Sequence, residues 1–159
     1  MITFLDTNNK AEFDETASVF SKGLMMEVPP GPAPKEVIYA NLMKYKTMIH
    51  KNADEKINGL LTFEENEVAV SLFFLCALEQ RKGIGRKLIM ELAKYCTDSK
   101  RKIIYSNVSS IDEGAKEFYN RTGFVKTEDI TSWNGLVLHT LIADPSEVLK
   151  RQKEGDFDR

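Results

Sequence analysis

The chain has 159 residues, of which 42% are hydrophobic and 29% charged, enough for one compact domain with a substantial core. Its 22 Lys and Arg nearly balance 24 Asp and Glu, so no net field draws it to nucleic acid or to an anionic membrane. The N-terminus lacks a basic segment followed by an apolar one, and no apolar run approaches the roughly 18 residues of a membrane span. We therefore expect a cytoplasmic protein without nucleic-acid or membrane partners, with residues 1–150 as a single domain and 151–159 as a charged, frayed tail.

Only two cysteines occur, Cys76 in an apolar run and Cys96 in a helical pattern. Their spacing fits neither a metal site nor a disulfide framework. We expect both to be reduced, buried packing residues, and we expect no bound metal.

The N-terminal segment predicts one strand and two helices joined by a proline-rich loop. Met1 to Leu5 reads as a short strand, and apolar residues at helical spacing follow it, with Gly23 near the helix end. Glu27 to Glu36 holds four of the five prolines, so it cannot form regular structure. Too few residues precede it for a separate core, so we interpret it as a loop within one domain rather than a linker. Lys35 to Lys44 predicts the second helix.

Three antiparallel strands are predicted next. The runs Lys46–Lys51, Ile57–Phe63 and Glu67–Ala77 are strand-like and are separated by short polar connections suited to hairpins. The third run is apolar at nearly every position, as expected for a strand covered on both faces. It is therefore the predicted centre of the sheet.

A strand, a helix and a second strand then form a predicted crossover. A stripe of apolar residues at helical spacing follows Gly83, and Lys102–Val108 reads as the next strand. Strands joined through a helix are parallel neighbours, so this strand should lie parallel to Glu67–Ala77. The members of the stripe are Ile84, Leu88, Ile89, Leu92, Ala93 and Cys96.

The C-terminal part predicts a short helix and a closing hairpin. Ser110 and Glu113 fit a capping box, and Gly123 suits the position just past the helix end. Phe124–Glu128 and Leu136–Ile142 are expected to pair across an Asn-Gly turn. The predicted fold class is α+β, a predominantly antiparallel mixed sheet with a central parallel strand pair, flanked by helices.

The segment QRKGIG, Gln80 to Gly85, joins the central strand to a helix start. Glycine permits close approach of a ligand and positive φ, while the first turn of a helix has unpartnered N–H groups and favours negative charge. Together these properties predict an anion site suited to a pyrophosphate. Four basic residues add local positive charge: Arg81, Lys82, Arg86 and Lys87.

Two familiar nucleotide motifs do not fit this segment. A P-loop requires GxxxxGK[ST], and the dinucleotide fingerprint requires a third glycine where this chain has Leu88. Three antiparallel strands before the crossover also differ from those folds. Because basic residues at a helix start are often a solvated surface, the segment by itself leaves open both phosphate binding and an ordinary helix start.

Two motifs in the correct order resemble the GNAT superfamily of N-acetyltransferases. QRKGIG fits its Q/R-x-x-G-x-G/A motif, and AKEFYNRTGF fits its second signature, a helix with Phe-Tyr shortly before Gly-Phe. The resemblance spans about Ile57 to Phe124, with compatible strand and helix order outside it. It implies a GNAT-like acyl-CoA N-acyltransferase fold in which the central parallel strands splay around acetyl-CoA.

The resemblance implies cofactor contacts position by position. The pantetheine arm would lie against the backbone from Phe73 to Ala77, and N–H groups from Gln80 to Arg86 would hold the pyrophosphate. Asp112 stands where many members carry an Asn that contacts the arm, so this contact is open, with Asn107 or Ser109 as substitutes. The cofactor-binding candidates are Phe73, Leu75, Ala77, Gln80, Arg81, Lys82, Gly83, Ile84, Gly85, Arg86, Lys87, Asn107 and Asp112.

The resemblance also implies catalytic groups. Tyr119 matches the residue that reaches the thioester sulfur, and it is the candidate general acid for the departing thiolate. A backbone N–H near Leu75 is the candidate donor to the oxyanion. Many members use a Glu on the central strand where this chain has Ala69, so Glu67, two residues away, is the candidate base, with a water chain as the alternative.

The two histidines are weaker candidates for the base. Imidazole titrates near neutral pH and is chemically suitable. His50, however, lies near a hairpin, and His139 lies within the closing strands. We interpret both as surface or core packing residues.

The combined prediction is an acetyl-CoA-dependent N-acetyltransferase that acts on a primary amine of a small molecule or peptide by direct attack. One alternative is a non-catalytic acyl-CoA-binding or sensing module, which the Ala at position 69 favours. Another is a phosphate-binding regulatory domain without CoA specificity. The acceptor amine and the oligomeric state stay open, with a homodimer through the last strands as one arrangement.

Overall fold

The computed structural model describes residues 1–153, which form seven strands and five helices. Every predicted element is present, with bounds that shift by a few residues. Each helix in this range is too short or too polar to cross a membrane. The elements are β1 (Ile2–Phe4), α1 (Lys10–Met26), α2 (Lys35–Lys44), β2 (Lys46–Lys51), β3 (Ile57–Glu65), β4 (Ala69–Ala77), α3 (Ile84–Asp98), β5 (Ile103–Ser109), α4 (Glu113–Thr122), β6 (Val125–Thr131), β7 (Val137–Ala143) and α5 (Pro145–Lys153).

The strands form one mixed sheet in the order β1-β2-β3-β4-β5-β7-β6. β4 and β5 are parallel neighbours, in a register that starts with Ala69 opposite Ile103 and ends at Ser71. Both strands continue past this register, β4 to Ala77 and β5 to Ser109. The pairs β1–β2, β2–β3, β5–β7 and β6–β7 are antiparallel. The predicted α+β class and its central parallel pair are thereby confirmed.

The chain divides into two compact units. Unit 1 comprises Met1–Glu64 and Phe73–Leu88, and unit 2 comprises Glu65–Leu72 and the chain from Ile89 onward. The boundary falls within β4 and within α3, so each of these elements contributes to both units. The single-domain expectation stays a prediction, and positions 154–159 of the expected tail lie outside the described residues.

In unit 1, α1 and α2 pack against the strands through apolar side chains. Phe20 of α1 stacks on Phe74 of β4 with ring centroids 4.4 Å apart, and Ile38 of α2 is almost fully buried. Gly23 lies in the last turn of α1, near the helix end as predicted, and a Cβ there would stand 2.6 Å from Cys76 Sγ. The close approach of helix and strand, not helix termination, therefore explains this glycine.

The second half of β4 is exposed on one side. Phe74 and Cys76 are buried, whereas Phe73 is 50% exposed and Leu75 and Ala77 are half-buried. Alternate side chains of a strand point to opposite faces. The prediction of a strand covered on both faces is therefore wrong for this half, which leaves one face accessible beside the three odd-numbered residues.

The apolar stripe of α3 is confirmed. Each of its six predicted members is at most 4% exposed. A stripe of this kind fixes the rotation of the helix about its axis, because it is the only face that gains by burial. The basic residues of the first turn are thereby directed away from the core.

In unit 2, α4 is capped at both ends. Asp112 Oδ1 accepts a hydrogen bond from the Ala115 N–H at 3.0 Å, so Asp112 is the N-cap and the predicted Ser110 is not. The reason is position, because a cap must immediately precede the first helical residue, Glu113. Gly123 ends the helix with a left-handed φ of 108°, as predicted.

A fifth helix, α5, forms where a charged tail was expected to begin. Val148 is fully buried, and the Arg151 guanidinium donates to the Asn120 carbonyl at 3.0 Å at the end of α4. These contacts continue helical structure to Lys153. Charge alone therefore did not predict that helical structure reaches Lys153.

Candidate functional site

The first part of the candidate site is the C-terminal half of β4 in unit 1. The buried residues of this half are held from behind, since Cys76 Sγ contacts the Val19 carbonyl at 3.9 Å. On the opposite face, the exposed Phe73 ring lies 4.3 Å from the ring of Tyr45 at an angle of 36°. The candidates Phe73, Leu75 and Ala77 thus share a face whose backbone is fixed by the packing beneath it.

The loop from Leu78 to Gly83 then leaves the strand in an unusual backbone conformation. Arg81 has φ of 61° and Gly83 has φ of 73°, both in the left-handed region. A non-glycine residue adopts that region only under constraint. A turn of successive backbone N–H groups can form an anion-binding concavity.

The loop leads into the N-terminus of α3. The Lys87 N–H donates to the Gly83 carbonyl at 3.0 Å, so the first helical bond closes on the glycine. Among the helices of residues 1–153, α1, α2, α4 and α5 each carry an acidic residue in the first turn, whereas α3 carries none. Its first turn instead carries the basic residues Arg86 and Lys87 at the positive end of the helix dipole, and this arrangement suits a bound anion.

Arg86 folds back over this loop. A Cβ at Gly83 would stand 3.0 Å from Arg86 Nη2, so the guanidinium lies directly against the glycine. Ile84, at 4% exposure, anchors the helix start, and a Cβ at Gly59 of β3 would stand 2.6 Å from Ile84 Cγ2. The backbone of the loop, the positive end of the helix dipole and the Arg86 guanidinium therefore lie together at the start of α3.

Tyr119, the candidate acid, is on α4 in unit 2. The residue is 7% exposed, and its ring packs edge-on against Phe118 at 5.5 Å and against Phe124 at 5.1 Å. The Phe124 N–H donates to the Tyr119 carbonyl at 3.0 Å. The Phe-Tyr and Gly-Phe parts of the sequence signature thus form one aromatic cluster, which fixes the tyrosine ring.

Unit 2 also holds the candidate contacts to the cofactor arm. Asn107 Oδ1 accepts from the Thr140 hydroxyl at 3.1 Å, and Ser109 Oγ accepts from the Ile111 N–H at 3.3 Å. Asp112 Oδ1 is engaged in capping α4. An aspartate carboxylate has no N–H to donate, so Asp112 cannot make the donor contact that an asparagine would make.

Glu67 lies outside the strand on which the sequence placed it. It lies in the turn before β4, which begins at Ala69, and it is exposed. The Val68 N–H and the Ala69 N–H both donate to Asn66 Oδ1, which shapes this turn. Because Glu67 is outside the strand, side-chain alternation does not place it on the same face as Ala69.

The histidines have different surroundings. His139 is on β7, where its Nε2 lies 3.5 Å from Asp129 Oδ1. His50 is 7% exposed on β2, and its Nδ1 lies 2.6 Å from Asn58 Oδ1. Sequence reasoning missed the second contact, because only the β2–β3 register brings these two residues together.

Neither cysteine is suited to carry an acyl group. Burial raises the pKa of Cys76 and that of Cys96 to about 12. The thiolate is the nucleophilic form, and these buried thiols stay protonated at neutral pH. This observation favours transfer without an enzyme-bound thioester.

A cavity of about 470 Å³ lies between α1 and α2 in unit 1. Its carboxylate, Asp14, is already bonded to Lys10 and accepts from the Tyr39 hydroxyl at 2.8 Å, and these bonds lower the pKa of Asp14. Since its charge is compensated within the protein, we assign no acceptor to this cavity. The lining residues are Asp14, Ala17, Ser18, Ser21, Ala33, Lys35, Ile38 and Tyr39.

Comparisons with solved structures agree with this fold. The fold is similar to Ard1 from Thermoplasma volcanium, with a TM-score of 0.75, 14% identity, and coverage of 91% of this chain and 96% of that one. It is equally similar to aminoglycoside 6'-acetyltransferase type Ii, with a TM-score of 0.75, 18% identity, and coverage of 91% and 97%. It is also similar to an aminoglycoside 6'-N-acetyltransferase complexed with coenzyme A, with a TM-score of 0.73, 15% identity, and coverage of 91% of this chain and 97% of that one.

The sequence itself carries the family assignment. Comparison with curated proteins found no match. A family model described as an acetyltransferase (GNAT) domain, however, matches residues 22–142, which include both motifs. The chain therefore belongs to the GNAT family of acetyltransferases.

Proposed function

We propose that this protein is an acetyl-CoA-dependent N-acetyltransferase that acetylates a primary amine of a small molecule or peptide. The observation that carries the proposal is the loop with left-handed Arg81 and Gly83 at the start of α3, within a GNAT-family sequence. A similar structure is complexed with coenzyme A, which supports a CoA-type cofactor. When bound, acetyl-CoA supplies an activated acetyl thioester.

Within unit 1, the proposed role of the chain is to bind and orient the cofactor. Backbone N–H groups from Gln80 to Arg86 bind the pyrophosphate, and the basic side chains around them add charge. The backbone from Phe73 to Ala77 aligns the pantetheine arm, with a Leu75 N–H as donor to the carbonyl oxygen. A donor fixed in this way stabilises charge that appears only in the transition state.

The proposed chemical step requires two proton transfers, one to the departing thiolate and one from the attacking amine. As the neutral amine displaces the thiolate at the acetyl carbon, Tyr119 would donate its phenolic proton to the departing sulfur. The nitrogen loses its proton to Glu67 or to water. Because Cys76 and Cys96 are buried and protonated, we propose direct attack by the amine without a cysteine intermediate.

Glu67→Gln separates the two routes for the amine proton. Glu67 is exposed in a turn, and water can serve an amine whose pKa is about 8, such as a peptide α-amine. An unchanged pH profile of kcat/KM in Glu67→Gln assigns the role to water. Loss of activity that returns at higher pH assigns it to Glu67.

The acceptor is proposed only by class. Two similar structures are named as aminoglycoside 6'-acetyltransferases, which supports a small amine as one class of acceptor. Their identities of 18% and 15% establish the fold alone. A peptide amine, a homodimeric state and a cytoplasmic location stay predictions from the sequence.

The test measures the rate at which the CoA thiol is released from acetyl-CoA in the presence of panels of small amines and of peptides. We expect at least one amine to accelerate release above the rate of hydrolysis. Gly83→Val should abolish this rate, because valine is strained at φ of 73° and displaces the Arg86 guanidinium. CoA binding without release by any amine would favour the non-catalytic acyl-CoA-binding module, and absence of CoA binding would refute both.

A further inference from the structure

A chain of hydrogen bonds, buried at His50 and Asn58, leads from β2 to the residue that precedes the loop Gln80–Gly85. His50 Nδ1 lies 2.6 Å from Asn58 Oδ1, and Asn58 Nδ2 donates to Glu79 Oε1 at 3.3 Å. His50 is 7% and Asn58 6% exposed, whereas Glu79 lies at the surface. All three residues belong to unit 1.

The chemistry of the three groups determines which atom donates and which accepts in each hydrogen bond. The Glu79 carboxylate accepts hydrogen bonds, so the amide nitrogen of Asn58 must face it. Asn58 Oδ1 then faces His50, and the imidazole must carry its proton on Nδ1 to donate to it. A third bond completes the arrangement, since the Asn58 carbonyl accepts from the Leu78 N–H at 2.8 Å. Asn58 therefore holds two consecutive residues immediately before Gln80.

The next residue of β3 acts on the other end of the loop. Gly59 lets Ile84 approach so closely that a Cβ at position 59 would stand only 2.6 Å from Ile84 Cγ2. Ile84 is the first residue of α3. The dipeptide Asn58–Gly59 thus fixes the loop at its entry by hydrogen bonds and at its exit by close packing.

Burial of the polar pair His50 and Asn58 costs free energy, because each buried polar group loses its hydrogen bonds to water. A role in the fold or the site would explain why the pair is present. The loop supplies one, since Arg81 is held at φ of 61° and such a conformation persists only when its surroundings enforce it. Fixing the loop before the ligand arrives lowers the entropy lost on binding.

We propose that His50, Asn58 and Glu79 are positioning residues that hold the loop from Gln80 to Gly85 in its anion-binding shape. The inference rests on the proposed function of that loop as a CoA pyrophosphate site. None of the three is assigned a contact with the ligand. Glu79 is negative beside an anion site, and the bond from Asn58 explains its presence there.

A matched pair of variants at Glu79 tests the proposal. Glu79→Gln and Glu79→Ala remove the same charge, but only Gln keeps an oxygen that accepts from Asn58 Nδ2. We expect the Kd for CoA to be about fivefold higher in Glu79→Ala than in Glu79→Gln. The KM for acetyl-CoA should rise in parallel, with little change in kcat. Equal Kd values in the two variants would show that Glu79 acts only by its charge, and would overturn the proposal.

A second measurement needs no ligand. Asn58→Leu removes the two side-chain hydrogen bonds without changing charge, and we expect faster amide hydrogen exchange in the segment 80–84 of the free protein. Glu12→Gln is the control, because it breaks the 2.9 Å ion pair to Lys51 in the same unit without touching the loop. Unchanged exchange in a folded Asn58→Leu would contradict the proposal. If the wild-type protein binds no CoA, the proposed function fails, while this exchange experiment still decides whether Asn58 positions the loop.

Discussion

Tyr119 illustrates two explanations that compete for one side chain. Its 7% exposure and two edge-on ring contacts are those of a core residue. Its hydroxyl and its place in the family signature suit a general acid, and the same packing gives that hydroxyl a fixed position. Because Phe keeps the packing and removes only the hydroxyl, substitution separates the two explanations.

For Tyr119→Phe, we expect kcat for amine acetylation to fall about 100-fold, since a positioned general acid contributes on this order. The Kd for CoA and the melting temperature should change little. Tyr105→Phe is the control, because Tyr105 of β5 is 39% exposed and has no assigned role. Wild-type activity in Tyr119→Phe would remove the proton-donor assignment and leave a packing residue.

At the scale of the element, α4 links a structural requirement to the candidate site. The sequence placed the N-cap at Ser110 and a cofactor contact at Asp112, whereas Asp112 itself caps the helix through the Ala115 N–H. The helix carries Tyr119, so the cap also determines where its first turn begins. A single carboxylate therefore accounts for the start of this helix.

Asp112→Ala should lower the free energy of unfolding by about 1 kcal/mol, the usual value of an N-cap. Asp112→Asn should stay close to wild type in stability, because its oxygen can still cap, and its new N–H group can serve a cofactor contact. Chemical denaturation measures the first effect and CoA titration the second. A fully stable Asp112→Ala protein would show that the cap contributes nothing.

At the scale of the whole molecule, the two buried thiols make stability depend on alkaline pH. Burial raises the pKa of each from the ordinary value of 9.0 to about 12. Between these values, the unfolded chain releases thiol protons that the folded chain keeps, so the free energy of unfolding falls as the pH rises from 9 toward 12. Below pH 9 the contribution is fully present.

We expect the melting temperature to drop more steeply between pH 8.5 and about pH 10.5 in the wild type than in Cys76→Ala/Cys96→Ala. The double variant is the control for lysine and tyrosine titration, which it shares with the wild type. Parallel pH profiles of the two proteins would mean that the thiols are not protected by folding.

Local patterns were the part of the fold that the sequence predicted well. The stripe of α3 and the stop at Gly123 depend on neighbours along the chain, and both are confirmed. The close contact with Cys76 that explains glycine at position 23 is not visible in the sequence, because it forms only when α1 packs on β4. The contact of His50 with Asn58 was missed for the same reason, since it depends on strand register.

The candidate site follows the same division. Residues Gln80 to Gly85 are contiguous, so their glycine spacing and charge were readable before folding. The prediction for Glu67 assumes that this residue is in a strand, which in the structure begins only at Ala69. Counting along a strand fails when the strand starts later than its apolar pattern suggests, because a turn residue has no fixed face.

The most direct measurement for the central claim is a thermal-shift titration with acetyl-CoA, CoA, ATP and NAD. A ligand that binds only the folded protein raises its stability by RT ln(1 + [L]/Kd), about 2.7 kcal/mol at 100 times Kd, or roughly 5–10 °C for a chain of this size. We predict such a shift with both CoA species and its loss in Gly83→Val. A shift with ATP or NAD alone, or with none of the four, would contradict the assignment of the loop to acetyl-CoA.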